Sequence, residues 1–249
     1  MGNLPEGFTV SENIIDSLVS SQLISSILAV SCVTVAFCSN MLMVQDKANG
    51  TIKDLSISPV KKSTLALSYY FATLISTLII CYAALAICLL YVSFIGWFIS
   101  FADVMFLILD VFLLVMFGTA LSSIINFFLS SQGQIAAVGT IMSAGYGFIC
   151  GAYMPISSFS SGLQKVVSFL PGTYGMSLVR NHSMNGAFRE MKSVGIPGNV
   201  VEMIRDSIDC NLYFFDNKIE VPAMYIILTL TTVAFVCIYV ALNALKRKP

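Results

Sequence analysis

The side chains that usually do chemistry are few and scattered in this sequence. His182 is the only histidine, and no nucleophile or acid–base motif accompanies it as a catalytic site would require. The seven cysteines include no C-x-x-C pair and no Cys/His spacing typical of zinc, so we predict no metal site. The sequence also has no G-x-x-x-x-G-K-[ST] loop for nucleotide phosphates. We therefore predict that the chain is not an enzyme and holds no cofactor of its own.

Composition indicates that the chain lies in a membrane. Of 249 residues, 57% are hydrophobic and 10% are charged, and the mean hydropathy is +0.87. A soluble domain carries about 25% charged residues, because it needs a polar surface. Thirteen basic residues balance thirteen acidic ones, so no net charge attracts a nucleic acid. These features exclude a soluble enzyme, a disordered chain and a nucleic-acid binder, and they predict an all-α integral membrane protein in the lipid bilayer.

Long stretches without charge mark the membrane spans, because a helix needs about 20 apolar residues to cross the hydrocarbon. No charged residue occurs in 17–45 or 221–245, and only Asp103 and Asp110 are charged between 63 and 164. We treat 1–249 as a single transmembrane domain, with four spans and a polar loop within 18–152. About five spans fit in all, at 18–43, 64–95, 103–128, 134–152 and 222–245.

Lysine and arginine orient these spans, because they stay on the cytoplasmic side. The loop 45–62 carries four lysines and the C-terminus is basic, so both are predicted to be cytoplasmic. Segments 1–17 and 153–221 are then external, and 222–249 form the last span and a cytoplasmic tail. We predict a multi-pass protein of a bacterial plasma membrane. Since 1–17 has no signal-peptide pattern, either this tail crosses unaided or an upstream helix is absent, and we favour an absent helix.

The loop 45–62 is too polar for the membrane and too patterned for a plain linker. Ile52 and Leu55 are three residues apart, so a short helix puts both on one face. Gly50 relieves a turn before this helix, and Pro59 ends it. We predict a compact amphipathic helix on the cytoplasmic surface. The alternative is a connector between two spans that has no partner.

Two motifs in the chain resemble those of the permease subunits of type-2 ABC transporters, which are mostly exporters. The first motif follows the family's second transmembrane helix and is matched by Asp46, Gly50, Thr51, Ile52, Leu55, Ser58 and Pro59. The second follows its fifth helix and is matched by Gly151-Ala-Tyr-Met-Pro155, Leu163-Gln164, Phe169-Leu-Pro-Gly-Thr-Tyr174 and Arg180. Leu170 stands where the family usually has asparagine. The resemblance begins near residue 18 and does not include the family's interface helix and first transmembrane helix.

The resemblance implies a six-helix fold, a second permease copy in a homodimer or heterodimer, and a separate ABC-type ATPase that holds ATP and Mg²⁺. It also implies that loop 45–58 is a coupling helix docked on that ATPase. The apolar contacts of this helix would come from Ile52 and Leu55. Its shape and its charged rim would come from Gly50, Pro59, Asp46, Lys47, Lys53 and Asp54.

The chain after Gly151 stays apolar but is interrupted by prolines. Pro155 and Pro171 argue against one continuous span and favour a helical hairpin that dips in from outside and returns. The resemblance implies the same hairpin, which would cap the exit of a substrate path. The candidate gate residues are Tyr153, Met154, Pro155, Lys165, Pro171 and Tyr174. The alternative is an amphipathic segment that lies flat on the outer leaflet.

Residues 181–220 are polar and mixed in charge, so we predict a solvated external cap. Helical spacing of Glu202, Arg205, Asp206 and Asp209 predicts a small helix there. Arg180 and Arg189, on either side of His182, are interpreted as exposed loop residues with no particular role; the alternative is contact with phosphate head groups.

Two polar residues inside the spans are candidates for a substrate path. Asp110 lies several residues into its span, where an acid is costly unless it faces protein or water. The alternative for Asp110 is an acid near the outer interface, solvated by water. Asn126, nearer the inner end, can hydrogen-bond between helices.

These observations favour the permease subunit of an ATP-driven exporter that moves an amphipathic compound, such as a drug, antibiotic, peptide or lipid-like molecule. The alternative is a transporter driven by an ion gradient through Asp110. Such a transporter usually has several membrane-buried charges or broken helices, and the spans offer only this one candidate.

Overall fold

The computed structural model describes residues 12–52, 60–215 and 217–245, and it is helical over 82% of its length. The predicted all-α integral membrane fold is confirmed. The helices are α1 Glu12–Ser39, α2 Met41–Ala48, α3 Lys62–Ile95, α4 Phe101–Phe128, α5 Gln132–Ile149, α6 Ser161–Val167, α7 Pro171–Ser193, α8 Gly198–Ser207 and α9 Val221–Leu245. A 3-10 turn, Ile156–Ser158, precedes α6, and the strands β1 Leu212–Phe214 and β2 Asn217–Ile219 precede α9.

Four helical stretches among the described residues are long and apolar enough to cross a membrane. They are Glu12–Ala48, which joins α1 and α2, and the helices α3, α4 and α9. The remaining predicted span, 134–152, corresponds to α5, a helix of 18 residues. Glycines and glutamines make α5 less apolar than the four long stretches.

Local sequence signals set where α4 and α5 begin. The Ser100 N–H donates to Asp103 Oδ2 at 3.0 Å, and the Ser131 N–H donates to Gln134 Oε1 at 3.2 Å. In each case the side chain three residues into the helix satisfies a backbone donor that the first turn leaves without a partner. Both helices therefore start just after a serine that ends a short connection between two helices.

The core lies between α1, α4, α7 and the flanking spans α3 and α9. At the centre α1 and α4 approach closely, because Gly118 has no side chain: a Cβ there would lie 3.0 Å from the Val33 Cα. The buried surfaces are rich in small residues, such as Ala29, Cys32 and Ala120, that permit such close packing between membrane helices.

The helix α7 lies inside the bundle, although its sequence is polar. Gly175 packs on Leu114 in the middle of α4, and Gly186 packs on the backbone of Phe98, just before α4 begins. Helix α7 therefore runs antiparallel to the N-terminal half of α4, with its first turn deep in the bundle. The prediction of a solvated cap is wrong for residues 181–193, because most of α7 is buried and its polar groups find partners within the protein, three of them on α4.

The small helix predicted from Glu202, Arg205, Asp206 and Asp209 is present as α8, which ends before Asp209. It is followed by a short antiparallel hairpin that the sequence analysis did not predict, in which Leu212 pairs with Ile219 and Phe214 with Asn217. Only three residues form each strand, so period-2 alternation was too short to detect.

Candidate functional site

Lys47, in the last turn of α2, caps the C-terminal end of α4. Its Nζ donates to the backbone oxygens of Asn126 and Phe127 at 2.8 Å each, and it lies 3.4 Å from the Leu129 oxygen. The same Nζ lies 5.4 Å from the centre of the Phe127 ring. The last carbonyls of a helix have no partner within the helix and carry partial negative charge. The ammonium group therefore both pairs with these carbonyls and compensates their charge.

Asn40, between α1 and α2, attaches the N-terminal end of α2 to α4. Its Nδ2 donates to the hydroxyls of Ser122 and Ser123, at 3.1 and 3.0 Å. The Nδ2 of Asn126 donates in turn to the Asn40 backbone oxygen at 3.3 Å, which is the interhelical hydrogen bond expected of Asn126. All four side chains are buried. We call Asn40, Lys47, Ser122, Ser123 and Asn126 the inner cluster.

The remaining described part of the predicted coupling loop contacts α3 and the core. Tyr69 of α3 donates to Asp46 Oδ2 at 2.6 Å. Gly50 turns the chain after α2 with a φ of 84°, a conformation that favours glycine. Ile52 is half-buried and packs against the core. The other predicted coupling residues, Lys53, Leu55 and Pro59, lie outside the described residues.

Asp110 and His182 form a buried pair between α4 and α7. The Asp110 Oδ2 lies 2.6 Å from His182 Nδ1, and the Tyr225 hydroxyl of α9 donates to Oδ1. Asp110 is 1% exposed, and the His182 ring stacks on Phe106 with 4.9 Å between ring centres. One carboxylate therefore joins three helices, and protein groups surround it as an acid within a span requires.

A second ion pair lies at the N-terminus of α4. Asp103 Oδ2 is 2.6 Å from a guanidinium nitrogen of Arg189, and Asp103 Oδ1 accepts a hydrogen bond from Asn185 at 2.8 Å. Asp103 is buried, whereas about half of the Arg189 side chain is exposed. We call Asp103, Asp110, His182, Arg189 and Tyr225 the outer cluster. It attaches α7 to α4 at two places.

Arg180 of α7 is buried and joins three separate segments of the chain. Its guanidinium lies 3.5 Å from Asp209 Oδ2 and donates hydrogen bonds to the oxygens of Ile208 at 2.7 Å, Gly151 at 3.0 Å and Ser26 at 3.2 Å. Burial raises the pKa of the Asp209 carboxyl, while the Ile156 N–H and the Arg180 guanidinium lower it. Arg180 thus ties the chain after α5 and the chain after α8 to α1.

The family model described as ABC-2 family transporter protein matches residues 3–244. The chain belongs to this family. It is therefore a multi-pass membrane protein and a permease of an ABC transport system, a kind of subunit that associates with an ABC ATPase. No curated protein and no solved structure matches the chain significantly.

The predicted gate residues of this ABC-2 permease occupy two environments. Tyr153 is largely exposed and its ring packs against Gly147, where a Cβ would be 2.2 Å from the ring. Tyr174 is buried, and its hydroxyl donates to the Ser168 oxygen. The others lie near these two: Met154 and Pro155 precede the 3-10 turn, Lys165 lies on α6, and Pro171 is the first residue of α7.

The interpretation of Arg180 and Arg189 as exposed loop residues is wrong for this permease, because both lie on α7 and contact α4, α1 or the turn after α8. The sequence carried one signal of this arrangement. Asp103 and Asp110 are seven residues apart, and so are His182 and Arg189. Seven residues are two helical turns, so two antiparallel helices bring the pairs into register.

Within the described residues, no three His, Cys, Asp or Glu side chains are grouped as metal ligands would be. A groove of about 600 Å³ follows α1 on the outside of the bundle. Its lining mixes apolar and polar side chains: Val19, Gln22, Leu23, Ser26, Ile27, Val30, Ser31, Ala152 and Tyr153.

Proposed function

We propose that this permease is the membrane subunit of an ATP-driven exporter and that a separate ATPase drives it through loop 45–58. Family membership supports the permease role. The observation that carries the coupling proposal is the double attachment of α2, which leads into the loop, to the end of α4 through Asn40 and Lys47. A displacement of the loop is therefore passed to α4 through these side-chain contacts. It is also passed to α1 and α3 through the backbone.

Helix α4 can carry such a displacement across the membrane. It has 28 residues, so it is about 42 Å long at 1.5 Å per residue. The inner cluster contacts its C-terminal end, and the outer cluster contacts its N-terminal half. Because α7 is the returning arm of the predicted external hairpin, motion of α4 moves that hairpin. In this proposal the ATPase thereby opens and closes the exit of the substrate path.

The energy source in this proposal is outside the chain. The sequence has no loop for nucleotide phosphates, so ATP and Mg²⁺ bind to the partner ATPase. Two permease copies, identical or different, together form the path. The mixed lining of the α1 groove supports an amphipathic substrate, because apolar side chains and hydroxyl or amide groups alternate along it. Export rather than import rests on the family resemblance alone.

The test is co-purification of the ATPase with the permease from membranes. We expect the ATPase to be recovered with the wild-type permease but not with the double variant Ile52→Arg/Leu55→Arg, because both substitutions place charge on the apolar face of the loop. Met203→Arg is the matched control, since it adds a charge at an exposed position of α8, on the opposite side of the membrane from the loop in the predicted topology. Equal recovery with all three proteins, each inserted normally, would refute coupling through this loop.

A transporter driven by an ion gradient is the second candidate, because Asp110 and His182 form a buried acid–imidazole pair within the bundle. Transport in proteoliposomes separates the two functions. Transport that requires ATP and persists with a protonophore supports the ATP-driven exporter. The gradient-driven alternative is supported if transport needs no ATPase, stops when the protonophore is added, and is lost in the Asp110→Asn variant.

A further inference from the structure

A pocket of about 400 Å³ opens between α7, α8, strand β2 and the start of α9. Among the described residues that line it, none belongs to the inner cluster, the outer cluster or the groove along α1. Four of the lining side chains are charged: Glu202, Arg205, Lys218 and Glu220. Charged groups are costly in hydrocarbon, and those of Lys218 and Glu202 are each nearly half exposed, so the pocket opens to water. We call it the α8 pocket.

Arg205 is held in place in this pocket, yet the protein uses little of its capacity for hydrogen bonds. Its Nη2 donates to Asn181 Oδ1 at 2.8 Å, and its guanidinium carbon lies 5.2 Å from the centre of the buried Phe188 ring. A guanidinium has five N–H donors, and Arg205 makes only this one hydrogen bond with the described residues. Its Nε is buried without an acceptor. The two terminal nitrogens therefore keep donors for a ligand.

Arg205 also has no acidic partner, unlike the arginines of α7. Arg180 and Arg189 each pair with an aspartate, whereas Arg205 forms no ion pair with a described residue. Glu202, three residues earlier on α8, pairs with Lys218 instead, at 3.3 Å. A partly buried cation without a counter-ion is costly, and the planar guanidinium suits a carboxylate, to which it can donate two parallel hydrogen bonds.

The α8 pocket supplies a negative charge and an apolar surface as well. Glu220 lines it and, within the described part of the chain, has no ion-pair partner. Ile219, Val221 and Met224 form the apolar part of the lining, and Met224 is only 1% exposed. The volume is within the range of about 300–1,000 Å³ that is typical of ligand pockets. A cation, an anion and an apolar surface in one pocket match a small zwitterion with an apolar side chain.

We propose that the α8 pocket binds an aliphatic α-amino acid. Arg205 donates hydrogen bonds to the ligand carboxylate, Glu220 pairs with the ligand ammonium group, and the aliphatic side chain packs on Val221 and Met224. The bound ligand contacts α7, α8 and the start of α9 at once, so it stabilises the packing of these three helices. The proposal depends on this pocket alone, and its failure would leave coupling through loop 45–58 unaffected.

The test is binding of radiolabelled L-leucine to the purified full-length permease in nanodiscs, with two analogues as competitors. L-Leucinamide lacks the carboxylate, and isocaproate lacks the ammonium group. The pocket variants are Arg205→Gln and Glu220→Gln. Lys192→Gln is the matched control, because it removes a charge from an exposed position of α7 that does not line the pocket. Thermal unfolding without ligand shows which variants are folded, and Glu220, which is exposed, provides the test if Arg205→Gln does not fold.

We expect the wild type and Lys192→Gln to bind L-leucine at least about tenfold more tightly than either analogue, because each analogue lacks one charged hydrogen-bonding group. The preference over L-leucinamide should disappear in Arg205→Gln, and the preference over isocaproate should disappear in Glu220→Gln. A general loss of structure would weaken binding of all three compounds and would not remove one preference selectively.

Three results would overturn the proposal. The first is a wild-type permease that does not bind L-leucine saturably. The second is a folded pocket variant that keeps both preferences. The third is inorganic phosphate that competes as strongly as unlabelled L-leucine, because the pocket would then select anions in general.

Discussion

Lys47→Met should uncouple ATP hydrolysis from transport without removing the ATPase. The substitution keeps most of the side-chain length but removes the ammonium that contacts three carbonyls at the end of α4. A hydrogen bond to a charged group contributes about 1.5–3 kcal/mol, and a cation at a helix C-terminus about 0.3–1 kcal/mol. Lys47 is only half-buried, so solvent screening lowers the expected loss to about 1–2 kcal/mol. A loss of that size corresponds to about a 5–30-fold change in an equilibrium.

The assay is substrate transported per ATP hydrolysed, measured in proteoliposomes that contain the permease and its ATPase. We expect this ratio to fall by about 5–30-fold in Lys47→Met, if the attachment of α2 to α4 carries the coupling. The conservative Lys47→Arg keeps a donor and a charge at the same place, so it should recover part of the ratio. Lys61→Met is the matched control, because Lys61 is an exposed lysine at the end of the same loop.

Two results would refute the reasoning about Lys47. If Lys47→Met and Lys61→Met give the same ratio, the contacts with α4 do not transmit motion. If Lys47→Met instead loses the ATPase on purification, Lys47 acts by binding the partner, and its role in joining α2 to α4 is secondary.

Three further predictions concern stability, measured by thermal unfolding of the purified permease in detergent. Asp110→Asn and His182→Gln should each lower the free energy of unfolding of the permease by about 1–3 kcal/mol. The double variant should lose clearly less than the sum of these two losses, because both substitutions remove the same buried contact. Losses that simply add would contradict the pairing of Asp110 with His182. Gly186→Ala should prevent normal folding, because its Cβ would lie 2.2 Å from a backbone oxygen, whereas Gly133→Ala, with open space around it, should be tolerated. Arg180→Met should cost about 3–5 kcal/mol, because it leaves a buried carboxylate without its partner; a loss below about 1 kcal/mol contradicts that role.

Three of the long apolar helices lie within two residues of their predicted spans, whereas the first stretch, Glu12–Ala48, extends beyond the predicted 18–43 at both ends. Predicted spans 64–95, 103–128 and 222–245 are the helices Lys62–Ile95, Phe101–Phe128 and Val221–Leu245. This succeeds because crossing a membrane is decided locally: a segment of about 20 residues either has few enough charges to enter the hydrocarbon or it does not. The family, too, was indicated by short local motifs around Gly50 and Pro155, which need no knowledge of distant contacts.

The sites at the two ends of α4 depended on tertiary structure. Asp110 was noticed as an acid in a span, but its partner His182 is 72 positions away on a helix whose polar composition indicated a solvated cap. A polar helix is stable inside the bundle only when specific neighbours satisfy its side chains, and composition does not reveal those neighbours. The paired spacing of seven residues was the one trace of this arrangement in the sequence.

The sequence by itself indicated which long segments are apolar enough to cross a membrane, which loop is cytoplasmic in the predicted topology, and which family the chain resembles. Tertiary structure decided that α7 is buried, that Lys47 caps α4, and that Arg205 lines a pocket between α7, α8 and α9. The physical reason is the range of the forces involved. Transfer of a segment from water to lipid depends on that segment alone, whereas a hydrogen bond or a ring contact between distant residues exists only after packing has brought them together.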